Sequence, residues 1–130
     1  MEERSVLPPG IGQELFGVTL KQYEIQLYLN NKMRKGRPDP ETETNNWLVV
    51  HSLALYGVVR SAAFLLGRKC ERDTKRVIAD ANALLRQVVD YLTNDGRDLD
   101  RARELYDRVR EQEANIYITM SRCTGIPLTG

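Results

Sequence analysis

Three side chains in this 130-residue sequence combine a chemically capable type with an unusual position: Arg60, His51 and Glu113. Arg60 lies inside the longest apolar run, Trp47 to Gly67 (WLVVHSLALYGVVRSAAFLLG). A guanidinium there cannot shed its charge and must find an anionic or carbonyl partner. Glu113 is an acid at a core position of a later heptad pattern. From Trp47 to Arg60 is 13 residues and from Leu99 to Glu113 is 14, so in a bundle whose second and fourth helices run parallel the two stand at one level. An ion pair between them is expected, within one chain or across an interface, serving specificity more than stability. The rival role for Arg60 is to line a pocket for a phosphate or carboxylate.

His51 is the only histidine, nine residues before Arg60 and on the opposite side of a helix. No second histidine, ExxH pair or nucleophile motif accompanies it, so a hydrogen-bonded structural role is expected rather than a metal ligand or a base. Cys70 and Cys123 are too few for a disulfide scaffold and, with one histidine, make no zinc site. They fall near the ends of parallel helices and can approach one another, but idle free thiols are the expectation. GxxxxGK, GxGxxG, HExxH and paired CxxC motifs are absent. The reading is therefore of no catalytic residue, no metal and no cofactor.

Two basic clusters remain. Lys32, Arg34, Lys35 and Arg37 form one; Arg68, Lys69, Arg72, Lys75 and Arg76 form the other. Cations gather at helix C-termini for dipole reasons alone, and in an up-and-down bundle these two clusters sit at opposite ends. Repetition around an oligomer would turn either one into a band able to grip phosphates. With a formal net charge of +1, nothing global draws the chain to nucleic acid or anionic lipid.

The elements that must position these residues follow from caps and periodicity. Composition is that of one globular domain, 42% hydrophobic and 28% charged, long enough for a single core across residues 1–130. Pro8, Pro9, Gly10, Gly12 and Gly17 mark residues 1–17 as an arm with at most a helical turn around Gln13 to Phe16. Thr19 with Gln22 reads as a capping box, and Lys32 to Gly36 as a helix stop. Helix is preferred over the short strand-like alternation of residues 22–29. Asp39 and Pro40 open a second helix running to about Lys69, roughly 45 Å. Asp73 caps a third, carrying Val77, Ala81, Leu84, Leu85, Val88 and Leu92 and stopped at Gly96. Asp98 caps a fourth, whose seam is Leu99, Ala102, Tyr106, Val109, Glu113, Ile116, Met120 and Cys123. Residues 18–124 are thus an all-α, up-and-down four-helix bundle, and residues 125–130 a tail that folds back.

The apolar run decides the function class. Its four polar residues, His51, Ser52, Arg60 and Ser61, are spread around the whole helix, which leaves no solvent face. The run is long enough to cross a bilayer, but Arg60 opposes insertion by roughly 2.5–3.5 kcal/mol, so no membrane partner is expected. A second chain covering the helix is expected instead, through the stripe of Ala54, Gly57, Ser61 and Phe64. The alternative is that the arm and tail of the same chain cover it. The start MEERSVLPPG lacks an export pattern, and a cytoplasmic location is the default. The expectation is a non-catalytic, self-associating interaction or assembly protein, a homo-oligomer with a further protein partner possible. An oligomeric nucleic-acid-binding accessory protein using the basic clusters is the alternative, and a small-molecule enzyme or sensor around Arg60, His51 and Glu113 the third reading.

Overall fold

A computed structural model describes residues 10–35, 40–94 and 97–127, with side chains described for 10–28, 44–94 and 97–127. They form four helices: α1 (Ile11–Lys35), α2 (Pro40–Leu66), α3 (Glu71–Asn94) and α4 (Leu99–Thr124). The strand-like alternation in residues 22–29 is helix, with Ile25 buried and Tyr23 and Leu27 exposed.

Helix α1 begins at Ile11, seven residues before Val18, and takes in residues 11–17 of the expected arm. Gly10 adopts a left-handed φ of 82° just before it. Ile11, Val18 and Ile25 recur one heptad apart and are all buried, which outweighs a helix-propensity cost of about 1 kcal/mol at each of Gly12 and Gly17. Gly17 is also needed for packing, because a Cβ there would stand 3.2 Å from Asn82 Oδ1. Through that gap Asn82 Nδ2 donates to the Glu14 carbonyl at 2.8 Å, and Lys21 Nζ donates to Asn82 Oδ1 at 3.3 Å. Thr19 is no cap; it lies mid-helix and donates to the Leu15 carbonyl at 3.1 Å.

Pro40 opens α2 as expected, while Asp39 lies outside the described residues. The helix stops three residues short of Lys69 because Gly67 turns to a φ of 49°. The buried Thr74 hydroxyl reaches back to the carbonyls of Gly67 (2.8 Å) and Cys70 (3.0 Å), so the chain reverses within residues 67–70. Helix α3 therefore starts before Asp73, which pairs with Arg76 at 3.0 Å instead of capping; Gly96 lies outside the described residues. Asp98 does cap α4, accepting from the Arg101 amide at 3.1 Å, and Gly125 closes it with a φ of 76°. Ser121 Oγ then donates to the Ile126 carbonyl; residues 128–130 of the tail lie outside the described residues.

Polar contacts give the directions. Thr19 meets Tyr56 and Tyr28 meets Asn45, so α1 and α2 are antiparallel. Arg101 meets Gln87 and Asp98 meets Tyr91, so α3 and α4 are too. The bundle is up-and-down. Helices α2 and α3 each touch the other three, whereas α1 and α4 do not touch among the described residues. The cross-section is a rhombus with α2 and α3 on its short diagonal.

The cysteines are not idle thiols. Cys70 and Cys123 form a disulfide across a Cα separation of 6.4 Å, tying the α2–α3 reversal to the end of α4. The parallel α2 and α4 bring their late residues to the same end, and nothing in cysteine count could show that. Disulfides persist mainly in oxidising compartments, so cysteine usage lends no support to the cytoplasmic default. The link closes a loop of 53 residues in sequence separation. Reduction, or Cys123→Ser, is expected to lower the unfolding free energy by about 2–4 kcal/mol. Urea unfolding with and without reductant measures this, and an unchanged midpoint would contradict the cross-link.

Candidate functional site

Helix α2 carries two apolar seams on opposite sides. The inner one is Leu48, Ser52, Leu55, Val59, Ala62 and Leu66, spaced by alternating fours and threes, and all six are buried. The outer one is Val50, Ala54, Gly57, Ser61 and Phe64, again spaced by fours and threes, and all five are exposed. Two heptad stripes about half a turn apart make the helix read as apolar all round. Among the described residues nothing covers the outer seam; residues 1–9 of the arm and 128–130 of the tail, the alternative cover, lie outside the described residues.

The seam continues sideways onto α1. Phe16, Leu20, Tyr23 and Leu27 are exposed at the same alternating spacing. Thr19, amid this stripe, stands 3.4 Å from Tyr56, which adjoins Gly57. The two stripes therefore flank the α1–α2 line. Gly57 is the telling residue within them. A Cβ added there would meet nothing within 4 Å, so among the described residues the glycine has no packing reason, and it costs about 1 kcal/mol of helix propensity against alanine.

Arg60 is exposed rather than enclosed. It stands on the α1 side of α2, close enough to Tyr56 to act on it. The Thr19 hydrogen bond, against the opposing effect of burial, draws the Tyr56 phenol below its ordinary pKa, and the Arg60 hydrogen bond and charge add to the lowering. Helix α4 packs on the other side of α2, where His51 sets its ring edge-on to Tyr106 at 5.0 Å and lies 6.2 Å from Trp47. No ion pair joins Arg60 to half-buried Glu113 among the described residues. Their spacing sets both at similar heights but pairs them only if Arg60 faces inward, and Arg60 is exposed on the α1 side of α2, away from α4. His51, Arg60 and Glu113 do not converge on one pocket, and no metal-binding group occurs among the described residues. Of the buried polar side chains, Ser52 alone has an Oγ with no hydrogen-bond partner among the described residues.

Arg68, Lys69, Arg72, Lys75 and Arg76 are all exposed. Two of them spend their charge locally, Lys75 on Glu71 at 3.7 Å and Arg76 on Asp73 at 3.0 Å. The side chains of Lys32, Arg34, Lys35 and Arg37 lie outside the described residues.

Residues missed in the sequence hold the other end of α2. Asn45, only 2% exposed, donates through Nδ2 to the Tyr28 hydroxyl at 3.3 Å. The Tyr91 hydroxyl stands 2.9 Å from Asn45 Oδ1 and 3.0 Å from the Asp98 carbonyl, its two acceptors. Burial pushes the Tyr91 phenol above its usual pKa. One asparagine thus fixes α2 against α1, α3 and the start of α4. Nothing in the sequence singles it out among the polar residues that follow Pro40; its only signal is that a helix starting there must include it.

Thr44–Leu66, with a mean hydropathy of 1.6, is long and apolar enough to cross a membrane by length and composition; here its inner side is packed by three helices. Compared with protein families, curated proteins and solved structures, the chain matches none. Asn45→Ala is expected to cost about 1–3 kcal/mol by removing the two hydrogen bonds that the buried amide makes to the Tyr28 and Tyr91 hydroxyls. Urea unfolding reads the loss, and a variant as stable as the parent would show that the network contributes nothing.

Proposed function

We propose that this chain is a non-catalytic assembly protein that associates with a second copy of itself through the outer seam of α2, flanked by the α1 stripe. The observation that carries the reading is Gly57. A glycine in the middle of an exposed apolar seam, with open space beyond it, suits a helix that another backbone approaches closely. Apolar faces of this extent on a soluble surface mark interaction sites.

The pattern is also self-complementary. An antiparallel meeting of two α2 helices about a two-fold axis at Gly57 sets Val50 against Phe64 of the second copy and Ala54 against its Ser61. Small residues then occupy the centre, and large ones close the ends, as a two-fold isologous interface requires. The exposed Arg60 falls at the border of this contact, where its charge stays in water.

Light scattering on the purified protein tests the proposal. The parent is expected at a multiple of the 14.9 kDa chain mass. Gly57→Lys is expected at the single-chain mass with unchanged helical circular dichroism, since residue 57 touches nothing within its own chain. A parent that runs as a single chain, or a Gly57→Lys variant with undiminished mass, would overturn the reading.

A further inference from the structure

Trp47 is the only tryptophan in the sequence, and 55% of it is exposed. It lies on the α4 side of the outer seam. With Thr44, Arg103 and Tyr106 it lines a groove of about 310 Å³ between α2 and α4. The His51 ring stands between the rings of Trp47 and Tyr106, 6.2 Å from one and 5.0 Å from the other. The Arg110 guanidinium lies over the Tyr106 ring, 5.8 Å from its centroid. Arg103 and Arg110 are exposed, and neither has a carboxylate within ion-pair distance among the described residues. Lys75, Arg76 and Arg101 each have one. The groove therefore combines an aromatic wall with the Arg103 guanidinium, with Arg110 beside it over Tyr106, and no acid lines it among the described residues.

That combination selects a ligand. An inorganic anion would use the arginines and leave the rings unused; an apolar ligand would do the reverse. A planar π-system bearing phosphate uses both, stacking on Trp47 while a guanidinium fork takes the phosphate oxygens. Arg103 and Arg110 are one heptad apart on α4, about 10 Å along the axis. This spacing is too long for both to hold one phosphate closely and suits phosphates of neighbouring nucleotides. We infer that the groove is a binding site for a nucleotide unit of a single-stranded nucleic acid, its base on Trp47 and its backbone along Arg103 and Arg110. This site is separate from both basic clusters and does not depend on self-association.

Because Trp47 is the sole tryptophan, its fluorescence, excited at the red edge of its absorption, reads the groove alone. The full chain is titrated with a short oligothymidylate, with thymidine monophosphate and with inorganic phosphate, while light scattering follows the mass. Saturable quenching by the oligothymidylate is expected, and Arg103→Gln with Arg110→Gln is expected to raise the dissociation constant at least about tenfold. Circular dichroism checks that this double variant is folded. Quenching by thymidine monophosphate of equal affinity supports the same site with a free nucleotide as its source. No saturable quenching by either nucleotide ligand, equal quenching by inorganic phosphate, or an unchanged constant in the double arginine variant would each overturn the inference. A single-chain mass with intact quenching would keep the groove and remove the self-association.

Discussion

The structure depends on one geometric fact: α2 has two apolar seams on opposite sides, and a four-helix bundle fills only one of them. The inner seam is met by α1, α3 and α4, which places α2 on the short diagonal of the rhombus. Helix α3 shares that diagonal but has a single buried stripe, Thr74, Val77, Ile78, Ala81, Leu84, Leu85, Val88 and Leu92, and a polar outer side. The difference between the two central helices is thus a difference in what surrounds them. Among the described residues one is finished by its own chain, and the other presents Val50, Phe64 and Leu65 to the outside together with Phe16 and Leu20 of α1.

Polar contacts fix the register that apolar packing leaves loose. At the N-terminal end of α2, Asn45 joins three helices and the start of the fourth through Tyr28, Tyr91 and Asp98. At the other end, the Thr74 bonds and the Cys70–Cys123 link hold the α2–α3 reversal to α4. Asn82 clamps α1 to α3 midway, with Gly17 making room for it. The outer seam of α2 runs between two anchored ends, so its residues are presented on a helix held in place rather than on a mobile segment. Preorganisation of this kind lowers the entropy lost on association.

Much of the architecture was legible because it rests on local chemistry. Asp98 as a cap, Pro40 at a first helical turn and the single stripe of α3 each need only near neighbours in sequence. The stripe of Ala54, Gly57, Ser61 and Phe64 was also legible, since it is a spacing. What escaped depends on partners distant in the chain. Gly17 reads as a breaker until Asn82 is placed beside it. Asn45 reads as one more polar residue in the first turns of α2 until Tyr28 and Tyr91 reach it, and the cysteines read as idle until the helical register brings them together. Arg60 failed for a different reason. A helix apolar all round reads as interior, and its arginine therefore as buried. Resolving the pattern into two opposed seams puts Arg60 at their border, exposed, and removes the need for Glu113.

The most direct measurement is cross-linking across the outer seam. Ala54 and Ser61 are one heptad apart and cannot bridge within a chain, but the proposed two-fold axis at Gly57 would set each against the other residue of the second copy. The variant Ala54→Cys with Ser61→Cys, under mild oxidation, should give a covalent dimer much faster than a control pair on the outer face of α4, Glu104→Cys with Glu111→Cys. Equal rates for the two pairs would contradict the claim that the second seam of α2 is completed by another copy of this chain.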